Sequence, residues 1–249
     1  MKNKLSIISL VCLIILWQVF CLLKLVSPAI LPTPLEVISS LTKDILSGEI
    51  SIPLFITIFR VIIAFIMAII VGLPIGLVLG LSKKTFKSLE WIIDFFRSLP
   101  ASAIFPAFML FLGLGDKPII GVSVFSCGLI IIVYTVYGVQ NAHPHRREAA
   151  RLMGHSKSDI FVRVIIPEIL PEIFGGLRIG ISVVLIIVIV CEMISGIEKG
   201  LGQYILNSYY IYATQKMWAG IVLTGILGTA LNAVLARLEF QIAIWKSYK

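Results

Sequence analysis

Acidic residues and histidine are scarce in this sequence: 13 Asp and Glu and 3 His among 249 residues. All the histidines, His143, His145 and His155, fall in one polar segment and none in an apolar run. An intramembrane enzyme or an ion relay needs paired carboxylates, a His cluster or a nucleophile beside a base, so both classes are disfavoured. The four cysteines, Cys12, Cys21, Cys127 and Cys191, lie in apolar runs with no C-x-x-C pair. Neither a metal site nor a disulfide framework is indicated, and each is expected to pack as a small hydrophobe. A phosphate-cradling G-x-x-x-x-G-K-[ST] is also missing. The nearest approach, GLVLGLSKKT at 76–85, lacks the second glycine at the required offset and reads as a helix end followed by lysines. No nucleotide, metal or other cofactor is therefore expected on this chain.

What is abundant is apolar. Hydrophobic residues make up 59% of the chain and the mean hydropathy is +1.04, against roughly 45–50% apolar residues in soluble domains. A bilayer core of about 30 Å takes ~20 apolar helical residues to cross. Runs of that length stand near 5–25, 52–81, 88–113, 118–140, 170–195 and 215–238. These predict an all-α polytopic membrane protein of about six spans in a single domain, 1–249. The first run, Leu5 to Leu23, exceeds the ~7–15 residues of a signal-peptide core and no A-x-A-like site follows, so it is read as a retained span. After it, Pro28, Pro32 and Pro34 interrupt any helix. The following LEVISSLTKDIL has helical spacing, as for an amphipathic helix at the membrane surface.

The net charge of +8 comes from 21 Lys and Arg, and in a membrane protein that surplus marks topology, not nucleic-acid binding. One side would hold Lys2, Lys4, Lys83, Lys84, Lys87, Arg146, Arg147, Arg151, Lys157, Arg163, Arg237, Lys246 and Lys249. The other would hold Lys24, Lys43, Lys117, Lys199 and Lys216. Both termini and the polar segment after the fourth run are thus expected in the cytoplasm. Arg60, Arg97 and Arg178 remain within spans, where charge is costly and function is the default hypothesis. They are candidates for an anion path, with pairing or snorkelling as the favoured alternative. Glu192, at the end of the fifth run, is equally open. Pro74, Pro100 and Pro106 could bend the spans. Gly72, Gly76 and Gly80, and Gly176 with Gly180, stand at close-packing steps, read as packing within one bundle in preference to a dimer seam.

The polar segment includes EAARLMGHSKSDIFVRVIIP at 148–167. Pro144 suits a first helical turn, HRREAARLM holds good helix formers, and Gly154 suits a helix end. Ser156 with Asp159 resembles a capping pair for a second helix that runs through IFVRVII to Pro167. A short helix, a glycine elbow and a second helix entering the membrane follow.

The order Glu148-Ala149-Ala150, three residues, Gly154, nine residues, Val164-Ile165-Ile166-Pro167 resembles the EAA motif of permease subunits of binding-protein-dependent ABC importers, E-A-A-x3-G-x9-I-x-L-P. Val164 and Ile166 replace the Ile and Leu of that pattern. LPTPLEVI (31–38), RVIIAFIMAIIVGLPIGLVLGLSK (60–83), FFRSLPASAIFPAFMLFLGLGD (95–116) and EMISGIEKGLGQYI (192–205) resemble segments of the nitrate/sulfonate/taurine-type branch. The resemblance implies a type I importer: two permease copies in the plasma (inner) membrane, cytoplasmic ATPases that use ATP and Mg, and an extracytoplasmic substrate-binding protein. It also implies that Glu148, Ala149, Ala150, Gly154 and Pro167 belong to the coupling element an ATPase grips, at about 144–166. The competing class is a self-sufficient secondary transporter or channel.

Overall fold

The computed structural model describes residues 2–23, 26–197 and 199–242; Lys24, Lys246 and Lys249 of the charge count lie outside these. All regular elements among the described residues are helical. They are α1 (Lys2–Leu22), α2 (Pro34–Leu46), α3 (Ser51–Gly80), α4 (Lys83–Ser98), α5 (Ala101–Leu112), α6 (Asp116–Asn141), α7 (Pro144–Leu152), α8 (Lys157–Ile160), α9 (Ile166–Ile194), α10 (Leu201–Tyr210) and α11 (Thr214–Ile242). A π-helical turn, Phe161–Ile165, joins α8 to α9.

The spans differ from the apolar runs in detail. The run at 88–113 is a bent pair, α4 and α5, meeting at 93°. Leu99 precedes Pro100 and is extended, at φ −75° and ψ 126°, because the proline ring disfavours helical backbone in the residue before it. Among the described residues, four helical stretches are long and apolar enough to cross a membrane, or five if the bent pair is one span. The apolar part of α1 among the described residues is the shorter Val11–Leu22. The helix after Gly154 enters the membrane as expected, running without a break through Pro167 to Ile194. The π turn accommodates the proline: the Ile166 N–H reaches back to the Phe161 carbonyl, a wider ring just before the residue that has no N–H to donate.

Contacts divide the chain into two compact units, Met1–Thr57 with Glu192–Leu227 and Ile58–Cys191 with Gly228–Lys249. In the first, a capping box at Thr33 and Glu36 starts α2, with Pro34 at its first position. The amphipathic pattern of α2 buries Val37, Ser40 and Asp44 on one face. The proline-rich entry is held by two indoles, Trp17 donating to the Pro32 carbonyl (3.1 Å) and Trp218 to that of Ile30 (3.0 Å).

In the second unit both glycine series pack on α6. A Cβ at Gly76 would lie 2.7 Å from the Thr135 Cβ and 2.9 Å from the Ile132 carbonyl. One at Gly176 would lie 2.6 Å from the Tyr134 Cβ. Only a bare backbone allows helices this close. Cys127 and Cys191 are buried as expected, but Cys12 is exposed and Cys21 is half-buried, with its thiol directed at the Leu31 and Pro32 carbonyls.

Candidate functional site

The elbow forms from local chemistry. Pro144 opens α7, and the helix closes on Gly154, whose φ is +82°. The His155 N–H reaches the Ala150 carbonyl (3.2 Å) and the Gly154 N–H that of Arg151 (3.0 Å), the paired bonds of a Schellman motif. Ser156 then starts α8, its hydroxyl accepting from the Asp159 N–H at 3.1 Å. Glu168 Oε1 braces the other end of α7. It accepts from the His143 N–H (3.1 Å) and lies 3.5 Å from Arg146 Nη1. Arg147 adds a short hydrogen bond to the Val139 carbonyl at the end of α6. Of the motif residues, Ala150 is buried while Glu148 and Ala149 are exposed. Leu152 and Met153, at 86% and 78% exposure, make an apolar tip beside the glycine.

The three arginines have different surroundings. Arg60 is 1% exposed and its Nη2 lies 2.6 Å from Asp116 Oδ1. Arg178 lies 3.5 Å from Glu239 on α11. Arg97, in the last turn of α4, donates to Asp94 at 3.1 Å. Arg97 also borders a cavity of about 400 Å³ at the α4–α5 bend, whereas Arg178 borders an open cleft with Ser182 and Asn232. Both hollows share one stripe of α9: Gly175, Arg178, Ile179, Ser182 and Val183 in the cleft, Val183, Ile186, Ile187 and Val190 in the cavity. Steps of three and four residues put these side chains on one helix face.

Residues 72–243 match the family described as binding-protein-dependent transport system inner membrane component. The chain belongs to this family of ABC importer permeases. The permease is 28% identical to the putative aliphatic sulfonates transport permease protein SsuC of Bacillus subtilis, over 94% of this chain and 85% of that one. It is 28% identical to the taurine transport system permease protein TauC of Escherichia coli, over 97% and 89%. Against the nitrate import permease protein NrtB of Leptolyngbya laminosa it is 30% identical over 63% and 56%. An inward-facing structure of the MetNI methionine ABC transporter superposes with a TM-score of 0.66 at 21% identity, covering 75% of this chain and 92% of that one. An amino acid ABC transporter does so with 0.61 at 13%, covering 82% and 96%. These likenesses carry the fold of the permease.

Sequence reading underrated one residue of the permease. Glu192 is fully buried, accepts from the Thr57 hydroxyl (2.9 and 3.0 Å) and from the Gly202 N–H (2.9 Å), and so caps α10 from a distance. Thr57 in turn accepts from the Leu201 N–H at 2.9 Å. Gly200 leaves room for it, since a Cβ there would lie 2.3 Å from the Glu192 carboxyl carbon. The signal was a carboxylate in an apolar run; its partner Thr57, 135 residues away, left no local trace. Asp116 and Glu168 were missed for the same reason.

Proposed function

We propose that this permease is the membrane-spanning subunit of an ATP-driven importer and that the α7–α8 elbow is the element a cytoplasmic ATPase grips. The observation that carries this reading is the bracing of α7. Glu168 ties its first turn to α9 and the Schellman bonds close its last, so a push on α7 turns the attached helix and is not absorbed by a loop. Glu148 supplies a polar anchor, Ala149 allows close approach on the exposed face, Ala150 does the same on the face buried against the permease, Gly154 sets the angle, and Pro167 stands where the moving helix begins. Exposed Leu152 and Met153 add an apolar contact of the kind interfaces bury at their centres. ATP and Mg belong to the ATPase.

The whole chain, 1–249, acts in this reading as one transmembrane domain, with both termini and the elbow on the cytoplasmic side. An extracytoplasmic binding protein delivers the cargo, a small anion such as nitrate, a sulfonate or taurine. The path runs along the α9 stripe. From Gly175 to Val190 at 1.5 Å per residue it extends for about 22 Å, much of a ~30 Å bilayer core. Arg97 and Arg178 border it. Arg60, buried and paired with Asp116, lies outside the lining of both hollows. Ile179 and Ile186 are exposed on the same stripe, and a second permease copy in a homodimer would cover them.

The test is reconstitution of the permease in proteoliposomes with its ATPase and binding protein. Glu148→Lys or Gly154→Pro should abolish uptake and loosen the ATPase while the permease stays in the membrane. Normal uptake with the ATPase bound in both variants would overturn the coupling assignment. Uptake without ATP would replace the importer reading with that of a secondary transporter or channel.

A further inference from the structure

Glu192 stands in the last turn of α9, and a buried carboxylate there is a costly choice. Its oxygens must be met by donors, and replacing buried ionic groups by apolar residues of similar volume is often neutral or stabilising. The first turn of α10 does need acceptors, because its N-cap is Gly200, which has no side chain to offer. A Ser, Thr or Asp at that position would supply one locally. Here the acceptors come from two other helices, Glu192 of α9 for the Gly202 N–H and Thr57 of α3 for the Leu201 N–H, at 2.9 Å each. Thr57 and Glu192 are also bonded to each other, and a Cβ on Gly200 would collide with the carboxyl group. The chain passes between its two compact units inside α3 after Thr57, inside α9 before Glu192 and inside α11 after Leu227. Two of the three crossings are thus pinned to each other and to α10, by residues of the first unit alone. Further along α10, Tyr204 donates to Asp44 of α2 at 2.6 Å. Ile205 packs on Gly220 of α11, where a Cβ would lie 2.7 Å from its Cγ1.

We propose that Glu192 is a positioning residue for transport: with Thr57 it locks the start of α10 to the end of α9, so that α10 travels with α9 through the cycle. The proposal rests on the importer reading, in which an ATPase drives α9 from its other end through the elbow. Over its 29 residues α9 rises about 43 Å at 1.5 Å per residue, enough to cross a ~30 Å bilayer core. Motion begun at Pro167 is useful on the far side only where the end of α9 is fastened to something. The covalent link to α10 includes Gly196 and Gly200, both at positive φ, and glycine has the widest backbone freedom of any residue. The charge-assisted bonds of Glu192 are the stiffer connection.

The experiment compares Thr57→Ser, Thr57→Val, Glu192→Gln and Glu192→Ala with the parent, each reconstituted in proteoliposomes with the ATPase and binding protein. Uptake per ATP hydrolysed and hydrogen exchange over residues 201–210 are read on the same preparations. Thr57→Ser keeps the hydroxyl and should match the parent. Thr57→Val removes the hydroxyl at nearly unchanged shape, and Glu192→Ala removes the carboxylate. Both should lower uptake per ATP by about tenfold or more while hydrolysis continues, the loss of hydrogen bonds to a charged group. Glu192→Gln, which keeps one acceptor oxygen, should fall between, and exchange over α10 should quicken in the same order. Should Glu192→Ala fail to fold, Thr57→Val and Glu192→Gln decide the matter. A clamp that only stabilises the fold would quicken exchange without altering uptake per ATP. Faster exchange with unaltered uptake per ATP, reduced uptake per ATP with unaltered exchange, or a Thr57→Val variant equal to the parent in both overturns the proposal. A parent permease that holds no ATPase, or that takes up cargo without ATP, overturns the importer reading instead.

Discussion

Replacing Gly154 probes the elbow without touching any neighbour. Its φ of +82° lies in the left-handed region, and a Cβ built there meets nothing within 4 Å. The cost of Gly154→Ala is therefore the backbone term alone, about 1–2 kcal/mol for an L-residue held left-handed. That corresponds to a 5–30-fold fall in the population of the closed elbow. Asn tolerates this backbone better than Ala, so Gly154→Asn should cost less. Gly154→Pro should cost most, because proline fixes φ near −65° and removes the N–H that bonds the Arg151 carbonyl. Hydrogen exchange over residues 150–160 would report the opening of the elbow, and the ratio of uptake to ATP hydrolysis would report coupling. Both should rank glycine, asparagine, alanine, proline. If Gly154→Ala matched the parent in exchange and coupling, the elbow would not depend on its left-handed residue. If Gly154→Asn were worse than Gly154→Ala, the space around position 154 would not be open.

Three further outcomes follow from the buried chemistry. Glu192→Ala leaves the Thr57 hydroxyl and the Gly202 N–H without that acceptor, at about 1–3 kcal/mol for each buried group left unmatched; Glu192→Gln, which keeps an oxygen, should lower the thermal midpoint less. Gly76→Val drives a side chain into the Thr135 Cβ and the Ile132 backbone; overpacking of about 1–3 kcal/mol should show as a lower midpoint and a poor yield of folded protein. Tyr204 donates to Asp44 at 2.6 Å, and burial first, then that bond, raises its phenol above the ordinary value. Its contribution is then complete below about pH 10 and is lost as pH rises through the raised folded value. Tyr204→Phe should cost about 1 kcal/mol at neutral pH and remove this alkaline loss, read from unfolding curves across pH.

The elbow was legible in the sequence because each of its devices acts within one turn. Pro144 starts a helix, Gly154 ends it, and Ser156 starts the next, all through partners at most five residues away. The apolar runs were legible for a similar reason, since crossing a bilayer is a demand on length and composition. The prolines show where this stops. Pro74, Pro106 and Pro171 all sit inside intact helices, while Pro100 separates two that meet at 93°. The residue type is the same; the packing around it differs. Glu192 finds Thr57 across 135 positions, Arg60 finds Asp116 across 56, and both glycine series meet α6 and not each other. Helical periodicity states which face of a helix is apolar or small, but it carries no term for the partner that face will meet. The sequence by itself determined the family, the apolar spans and the shape of the elbow. Only the tertiary structure decided which charges are paired, where the apolar run at 88–113 bends, and that a cavity stands at the bend beside Arg97.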